Sequence, residues 1–291
     1  MKLTSTVIVA TYNGSKYIHD QLASIDDQVV RPTKVIIRDD QSTDKTAEIV
    51  SRYIKEKDLS GSWDFKVNAK RKGWRRNFVD MYDQAETDIV FLSDQDDMWK
   101  RDKVADYLKC FAEEQKAEVL VSDYSFLPRN QKILPMASMP EVGQNGFYRV
   151  LPDIANILIR RDGCTIAMRK SIIETAKKVF SKVKIDSNGL PQSHDQAIWI
   201  AGLMRGSLYH LKKPLMLRRA HADSTWQLER KNHQNHFAAT AEENPNYIDF
   251  LKAIDHFLLH DHSSAELPKN ILEKVLSKRI NESQGRTAVV S

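Results

Sequence analysis

The chain has 291 residues, 41% of them hydrophobic and 29% charged, which suits one large core with a smaller appendage and excludes wholesale disorder. Its two cysteines, Cys110 and Cys164, have no metal-type spacing and are too few for a disulfide framework, so a reducing compartment is expected. The net charge of +5 is uneven: residues 216–291 balance ten Lys/Arg against ten Asp/Glu, so the excess lies before them.

Met1-Lys2 runs directly into the β-branched stretch 6–10, which is too short for a signal h-region. No later apolar run approaches membrane-spanning length, so a cytoplasmic protein is expected. Residues 6–10 read as a strand, 16–25 as a helix through Tyr17, Leu22 and Ile25, and 35–37 as a second strand, which makes one βαβ unit. Ser42 or Thr43 can cap the next helix, which carries Ala47, Ile49, Val50, Tyr53 and Ile54. A third strand follows at 63–67, a third helix at 74–85 and a fourth strand at 89–92. Apolar strands alternating with helices imply an α/β fold, a Rossmann-like and mostly parallel sheet flanked by helices.

Ligands of such sheets bind at the carboxyl ends of the strands. The strand ends here are Ala10-Thr11-Tyr12-Asn13, Arg38-Asp39-Asp40 and Ser93-Asp94-Gln95-Asp96, so three polar clusters are expected on one rim. The third is the most informative, because Asp94, Asp96 and Asp97 crowd the end of a buried strand. A divalent metal carrying a diphosphate would offset that charge, since hard oxygen ligands suit Mg2+ or Mn2+; a solvated turn before a helix starting near Lys100 is the plain alternative. Gly14 stands alone, with neither G-x-G-x-x-G nor a P-loop pattern around it, so carboxylates must do the work of a glycine loop. Asp39 and Asp40 can accept hydrogen bonds from a base or a ribose, or can simply cap the next helix.

The segment Lys66, Lys70, Arg71, Lys72, Arg75 and Arg76 holds no acid between Phe65 and Val79. It is either a solvated face or a phosphate-facing patch, and nucleic acid is disfavoured because no recognised motif accompanies it. Residues 117–124 read as a strand, 128–147 as a long loop with Pro135, Pro140, Gly143 and Gly146, 163–168 as a small-residue strand, and 171–180 as a helix. A turn-rich stretch at 186–191 delivers Ser193-His194-Asp195-Gln196 to a helix carrying Ile198, Trp199 and Leu203. An acid there is either a cap or a functional carboxylate.

In order, Thr11-Tyr12-Asn13-Gly14, Asp39-Asp40-Gln41-Ser42-Thr43-Asp44, Ser93-Asp94-Gln95-Asp96-Asp97-Met98-Trp99, Gly163-Cys164-Thr165, His194-Asp195 and Arg219-Ala220-His221 resemble the inverting family 2 glycosyltransferases of the GT-A fold. The resemblance spans roughly residues 3–225 and looks most like bacterial rhamnosyltransferases and other polysaccharide-assembly enzymes. It implies that Thr11, Tyr12 and Asn13 line the nucleotide pocket, that Asp40 with Asp39 reads the base or ribose, and that Arg76 lies near the diphosphate. Asp94-Gln95-Asp96 matches the D-x-D motif. Asp96 would then hold Mn2+ or Mg2+ with Asp94 and His221, while Asp97, Trp99, Cys164, Thr165 and His194 would border the donor and acceptor sites.

Inverting transfer needs a base on the acceptor side, apart from the metal carboxylates, and Asp195 matches it. Apolar neighbours such as Ile198 and Trp199 would raise its pKa. The implied partners are a nucleotide-sugar donor, dTDP-rhamnose or a UDP-sugar, and a saccharide or lipid-linked saccharide acceptor. The remaining histidines, including His233, His236, His256, His260 and His262, read as solvated. A sugar nucleotidyltransferase would need a Gly-rich, Arg/Lys-bearing loop after strand one, which is missing, and an inactive sugar-nucleotide scaffold would not need both the acidic segment and Asp195.

The expected organisation is a catalytic domain over 1–225, with its nucleotide half at about 1–100 and its acceptor half at about 101–225, followed by a helical extension over 226–291. Within the extension, 247–260 and 267–280 have helical spacing. The stripe Leu267, Ile271, Leu272, Val275, Leu276 and Ile280 suits packing on the catalytic domain or on a second copy in a homodimer, and its basic flanks also suit peripheral contact with a membrane.

Overall fold

The computed structural model describes residues 2–127, 146–153, 156, 162–182, 194–219, 221, 224, 245–260, 267 and 277. Nine strands form one sheet: β1 (Ser5–Thr11), β2 (Lys34–Asp39), β3 (Trp63–Val67), β4 (Ile89–Ser93), β5 (Met98–Trp99), β6 (Val119–Leu127), β7 (Phe147–Arg149), β8 (Ile166–Arg169) and β9 (Leu208–Arg219). Their order is β3-β2-β1-β4-β8-β6-β9-β5, with β7 also on β9. The described helices are α1 (Ile18–Asp26), α2 (Thr46–Glu56), α3 (Trp74–Tyr82), α4 (Lys103–Glu113), α5 (Ile173–Lys182), α6 (His194–Met204) and α7 (Pro245–His260).

The first part of the sheet is parallel, as β1, β2, β3 and β4 all run one way. β8 lies antiparallel between β4 and β6, while β6 and β9 are parallel to each other. Strands buried on both faces read as nearly continuous apolar runs, as Val7 to Ala10 of β1 and Ile89 to Leu92 of β4 do. Val7, Val9, Ile89 and Phe91 pack with Leu22 and Ile25 of α1, Val50 of α2 and Phe111 of α4. The intervening Ile8, Val90 and Leu92 face Phe78 and Met81 of α3 and Val179 of α5 on the other side. Each such side chain contributes about 1.5–3 kcal/mol on burial.

Several local expectations change. Residues 163–165 form a 3-10 turn, because the Thr165 backbone N–H and hydroxyl both return to the Asp162 carbonyl, and the strand begins only at Ile166. Ser42 and Thr43 do not cap α2, which starts at Thr46; the Asp44 carboxylate accepts the Thr46 N–H at 2.9 Å instead. β9, which pairs with β6, β5 and β7, carries no clean alternation, since Lys212, Lys213 and Pro214 interrupt it, and it was not anticipated. His210 on β9 is buried rather than solvated, bonded to Asp123 Oδ1 at 2.9 Å and to the Tyr148 hydroxyl at 2.5 Å.

α6 is buried at all eleven positions, between the sheet and helices α3 and α5. In α7, Ile254, Phe257 and Leu258 share the core of the catalytic half, so the start of the C-terminal extension packs on that half. The expected loop at 128–147 lies outside the described residues except for its last two, and most of the 267–280 stripe lies outside as well. No described helix is long and apolar enough to cross a membrane.

Candidate active site

The three polar strand ends converge as expected, and the first two are stitched together before any ligand is considered. Asp39 is fully buried and accepts the Thr11 hydroxyl at 2.8 Å, the Ser42 N–H at 2.8 Å and the Ser42 hydroxyl at 2.5 Å. Asn13 adopts a left-handed φ of 49°, which its side chain supports by accepting the Thr43 N–H at 2.8 Å. Asp40 binds the basic segment: it accepts the N–H groups of Lys72 and Gly73, both at 2.8 Å, and the Asn68 amide at 3.0 Å. That capture turns the basic run over the rim, where the Arg71 guanidinium lies 4.0 Å from the centre of the Tyr12 ring. Arg76 points away, paired with Asp80 at 2.7 Å on its own helix.

Gln95 ties the acidic loop to β1. Its amide bonds both the N–H and the carbonyl of Tyr12, at 2.8 and 2.9 Å, and fills the space over Gly14, where any Cβ would meet it at 2.3 Å. Glycine is required at 14 for that close approach. Asp94, Gln95 and Asp96 remain partly open, while Asp97 is buried beneath them.

The end of β9 completes the rim. The Arg219 N–H donates to Asp97 Oδ1 at 3.0 Å, and its guanidinium donates to the Asp96 carbonyl at 3.1 Å and to Asp20 at 3.1 Å. Two residues on, His221 Nε2 meets Asp96 Oδ2 at 2.7 Å, with its ring 4.6 Å from Tyr17. Arg219 was quoted from sequence only as part of the Arg219-Ala220-His221 motif and Tyr17 only as a helix position; their contacts with the acidic loop and with His221 were not anticipated.

Burial and mutual repulsion dominate the electrostatics. Burial, then Asp97 and Asp96, hold the Asp94 carboxyl well above the usual carboxylate range. Burial and the Asp96 charge push Asp97 up to about 7. The protein supplies part of the missing counter-charge itself. Lys103, wholly buried at the start of α4, donates to the Cys164 carbonyl at 2.6 Å and lies 3.9 Å from the centre of the Trp99 ring. Burial lowers its pKa to about 8, against the pull of Cys164, Asp97 and Asp94. Sequence reasoning missed this lysine, because nothing in its neighbourhood distinguishes it from a surface residue.

Asp94, Asp97 and Cys164 each bring one ligand atom within 4.8 Å of the others. Burial and both carboxylates raise the Cys164 thiol far above its ordinary range, so it stays protonated and is a poor metal ligand. Asp94 and Asp97 are thus the two oxygen donors of that group, and a hard divalent cation there would relieve the repulsion that now raises their carboxyls; Asp96 lies beside them, bonded to His221. Trp99, Cys164 and Thr165 are core residues underneath this loop.

Asp195 sits apart from the acidic loop, at the start of α6 and only 7% exposed. The turn that precedes β8 brings it near: a Cβ on Gly163 would meet His194 Nε2 at 3.1 Å and Asp195 Cβ at 3.3 Å. Gly163 is followed by Cys164, whose thiol bonds Asp97, so one short turn links the two carboxylate centres. His194 stacks on Phe78 with ring centres 4.2 Å apart, and Trp74 meets it edge-on at 5.6 Å.

An α/β sheet that gathers acidic loops and cations at its strand ends, beside a separate buried carboxylate, defines an enzyme class that handles phosphorylated small molecules. The profile described as Glycosyl transferase family 2 matches residues 6–175, and the chain belongs to that family of glycosyltransferases. It is 26% identical over 224 residues to the dTDP-rhamnosyl transferase RfbG of Shigella flexneri, covering 74% of this chain and 72% of that protein. It is 35% identical over 118 residues to the poly(ribitol-phosphate) β-N-acetylglucosaminyltransferase TarS of Staphylococcus aureus, a stretch spanning 40% of this chain and 20% of the relative. The solved structure of S. aureus TarS 1–349 with UDP-GlcNAc superposes with a TM-score of 0.61 at 18% identity, covering 90% of this chain and 74% of that one. A Pyrobaculum calidifontis mannosyltransferase with GDP-Man and Mn2+ gives 0.54 at 17% identity, over 98% and 81%. These likenesses establish the GT-A fold.

Proposed function

We propose that this chain is a divalent-metal-dependent, inverting glycosyltransferase. It moves a sugar from a dTDP- or UDP-activated donor to a hydroxyl of a saccharide or lipid-linked saccharide during bacterial surface polysaccharide assembly. The observation that carries the reading is the Asp96–His221 pair at 2.7 Å on the strand-end rim, with Asp195 held separately across the Gly163 turn. The relative named as a dTDP-rhamnosyl transferase favours a dTDP-sugar, and the UDP-GlcNAc complex of TarS keeps UDP-sugars open.

In this mechanism Thr11, Tyr12 and Asn13 shape the nucleotide pocket. Asp39 and Asp40 hold the loops that carry it, each accepting three protein hydrogen bonds, and each keeps acceptor capacity for the base or ribose. Arg71, stacked on Tyr12, is better placed than Arg76 to face a phosphate. Mn2+ or Mg2+, held by Asp96 with Asp94 and His221, would stabilise negative charge on the departing diphosphate. Asp195 takes the proton of the acceptor hydroxyl as its oxygen attacks the anomeric carbon and the carbon–oxygen bond to the diphosphate breaks. The catalytic unit spans 1–225, the extension over 226–291 supports it or meets a second copy or a membrane, and the enzyme works in the cytoplasm or on the inner face of the cell membrane.

A donor panel of dTDP-rhamnose, UDP-glucose, UDP-galactose, UDP-N-acetylglucosamine and GDP-mannose, scored for nucleotide release with and without Mn2+, tests this reading. Release that requires Mn2+ and favours a pyrimidine donor is expected. A preference for GDP-mannose, or equal release in EDTA, would overturn it.

A further inference from the structure

A second polar cavity lies at the opposite end of the sheet from the acidic rim. It holds about 420 Å3, within the range of small-molecule sites, and four cationic side chains line it: Lys116, Arg149, Arg169 and Arg205. Glu118 is the only carboxylate in the lining, and it is already satisfied. Arg205 grips it with two bonds, at 2.6 and 2.8 Å, and the hydroxyls of Ser171 and Ser207 donate to it at 2.6 and 2.9 Å.

Arg169 is held by backbone carbonyls, those of Ala117 at 2.7 Å and Phe111 at 2.5 Å. Burial lowers its pKa, against the nearby charges of Glu118 and Asp88. Lys116 stands exposed at the mouth. The C-terminal end of α6 arrives here too, but its last carbonyls are occupied by the N–H groups of Arg205, Gly206 and Ser207. The lining therefore carries a surplus of positive charge in a concave, partly desolvated setting, where charge acts more strongly than on an open surface.

The register places this cavity far from the transfer site. Arg169 pairs with Ile89 at the start of β4, and the acidic loop follows Ser93 at its end, so the two are separated by roughly 15 Å of strand. A donor seated at the rim does not reach it.

We infer that this cavity is a second binding site, for a phosphate-bearing anion, independent of the donor site. The anion is either a soluble phosphate or diphosphate, or the headgroup of an anionic lipid, in which case the site would orient the enzyme on a membrane with its catalytic rim facing away from that contact.

The probe is inorganic pyrophosphate, titrated by calorimetry against the full chain in EDTA at fixed ionic strength. Saturable binding is expected. Lys116→Glu combined with Arg149→Gln should weaken it at least tenfold, whereas Arg71→Gln, on the rim, should leave it unchanged. Lys116→Glu alone, at an exposed position, serves if the double variant does not fold, with a fall of at least threefold expected. Absence of binding, equal binding by Lys116→Glu, or loss of binding in Arg71→Gln would overturn the assignment. Sedimentation with phosphatidylglycerol vesicles, against pure phosphatidylcholine, separates the sources. Vesicle binding that falls in Lys116→Glu assigns the lipid headgroup, and pyrophosphate binding without it assigns the soluble anion.

Discussion

His221 Nε2 lies 2.7 Å from Asp96 Oδ2, across 125 positions of sequence. Antiparallel pairing of β5 with β9 makes the contact, by placing Met98 opposite Leu217 and so laying the end of β9 along the acidic loop. Asp96→Ala and His221→Ala should each lower Mn2+ affinity about 10–100-fold and reduce transfer at least as much, with circular dichroism unchanged. Mn2+ binding measured by calorimetry checks it; undiminished affinity in both variants would remove the pair from the metal site.

Asp195→Asn keeps the shape of the α6 start and removes the proton acceptor. A fall in kcat of about 10²–10⁴-fold, with little change in the donor KM, is expected for the loss of a general base. Steady-state kinetics at saturating acceptor decide it, and a full transfer rate in the variant would exclude the role.

Gly14→Ala should push the new methyl into the Gln95 amide, 2.3 Å from where it would sit. Overpacking of this kind costs about 1–3 kcal/mol, and it would also loosen the tie between Tyr12 and the acidic loop. Gln95→Ala in the same chain should restore part of the lost stability, giving a non-zero coupling in a double-mutant cycle. Strictly additive losses would mean that the close approach is not what requires glycine.

Burial lowers the pKa of Lys103 to about 8 in the folded chain, from the ordinary lysine value of 10.5 that it regains when unfolded. Between those values the unfolded chain still binds a proton that the folded chain has released, so the contribution of this lysine to stability rises with pH across the window. Below pH 8 both states are protonated and the contribution is constant. Lys103→Met should remove the rise, so its stability relative to wild type should worsen from pH 8 to pH 10.5 in urea titrations. A constant difference between the two proteins would show that burial does not depress this group.

Much of the fold was legible because strands buried on both faces carry continuous apolar runs. β1, β2 and β4 show such runs at 7–10, 35–37 and 89–92, and the polar residues that follow them had to fall on one rim. The convergence of Thr11, Asp39 and the acidic loop could therefore be read before the structure. β9 could not, because Lys212, Lys213 and Pro214 interrupt its pattern, and with it went the contacts of Arg219 with Asp96 and Asp97. The division of labour inside the motifs was hidden too. Nothing in the letters Asp39 and Asp40 showed that each also holds a loop, through the N–H groups of Ser42 and of Lys72 and Gly73.

By itself the sequence determined the sheet, the rim and the crowding of Asp94, Asp96 and Asp97, because local periodicity and strand ends decide those. Tertiary structure alone decided what answers that crowding. A buried charge is compensated by whatever the fold brings within a few ångströms: Arg219 and His221 reach the loop from elements distant in the chain, while Lys103 follows the loop closely and only its burial at the start of α4 was hidden.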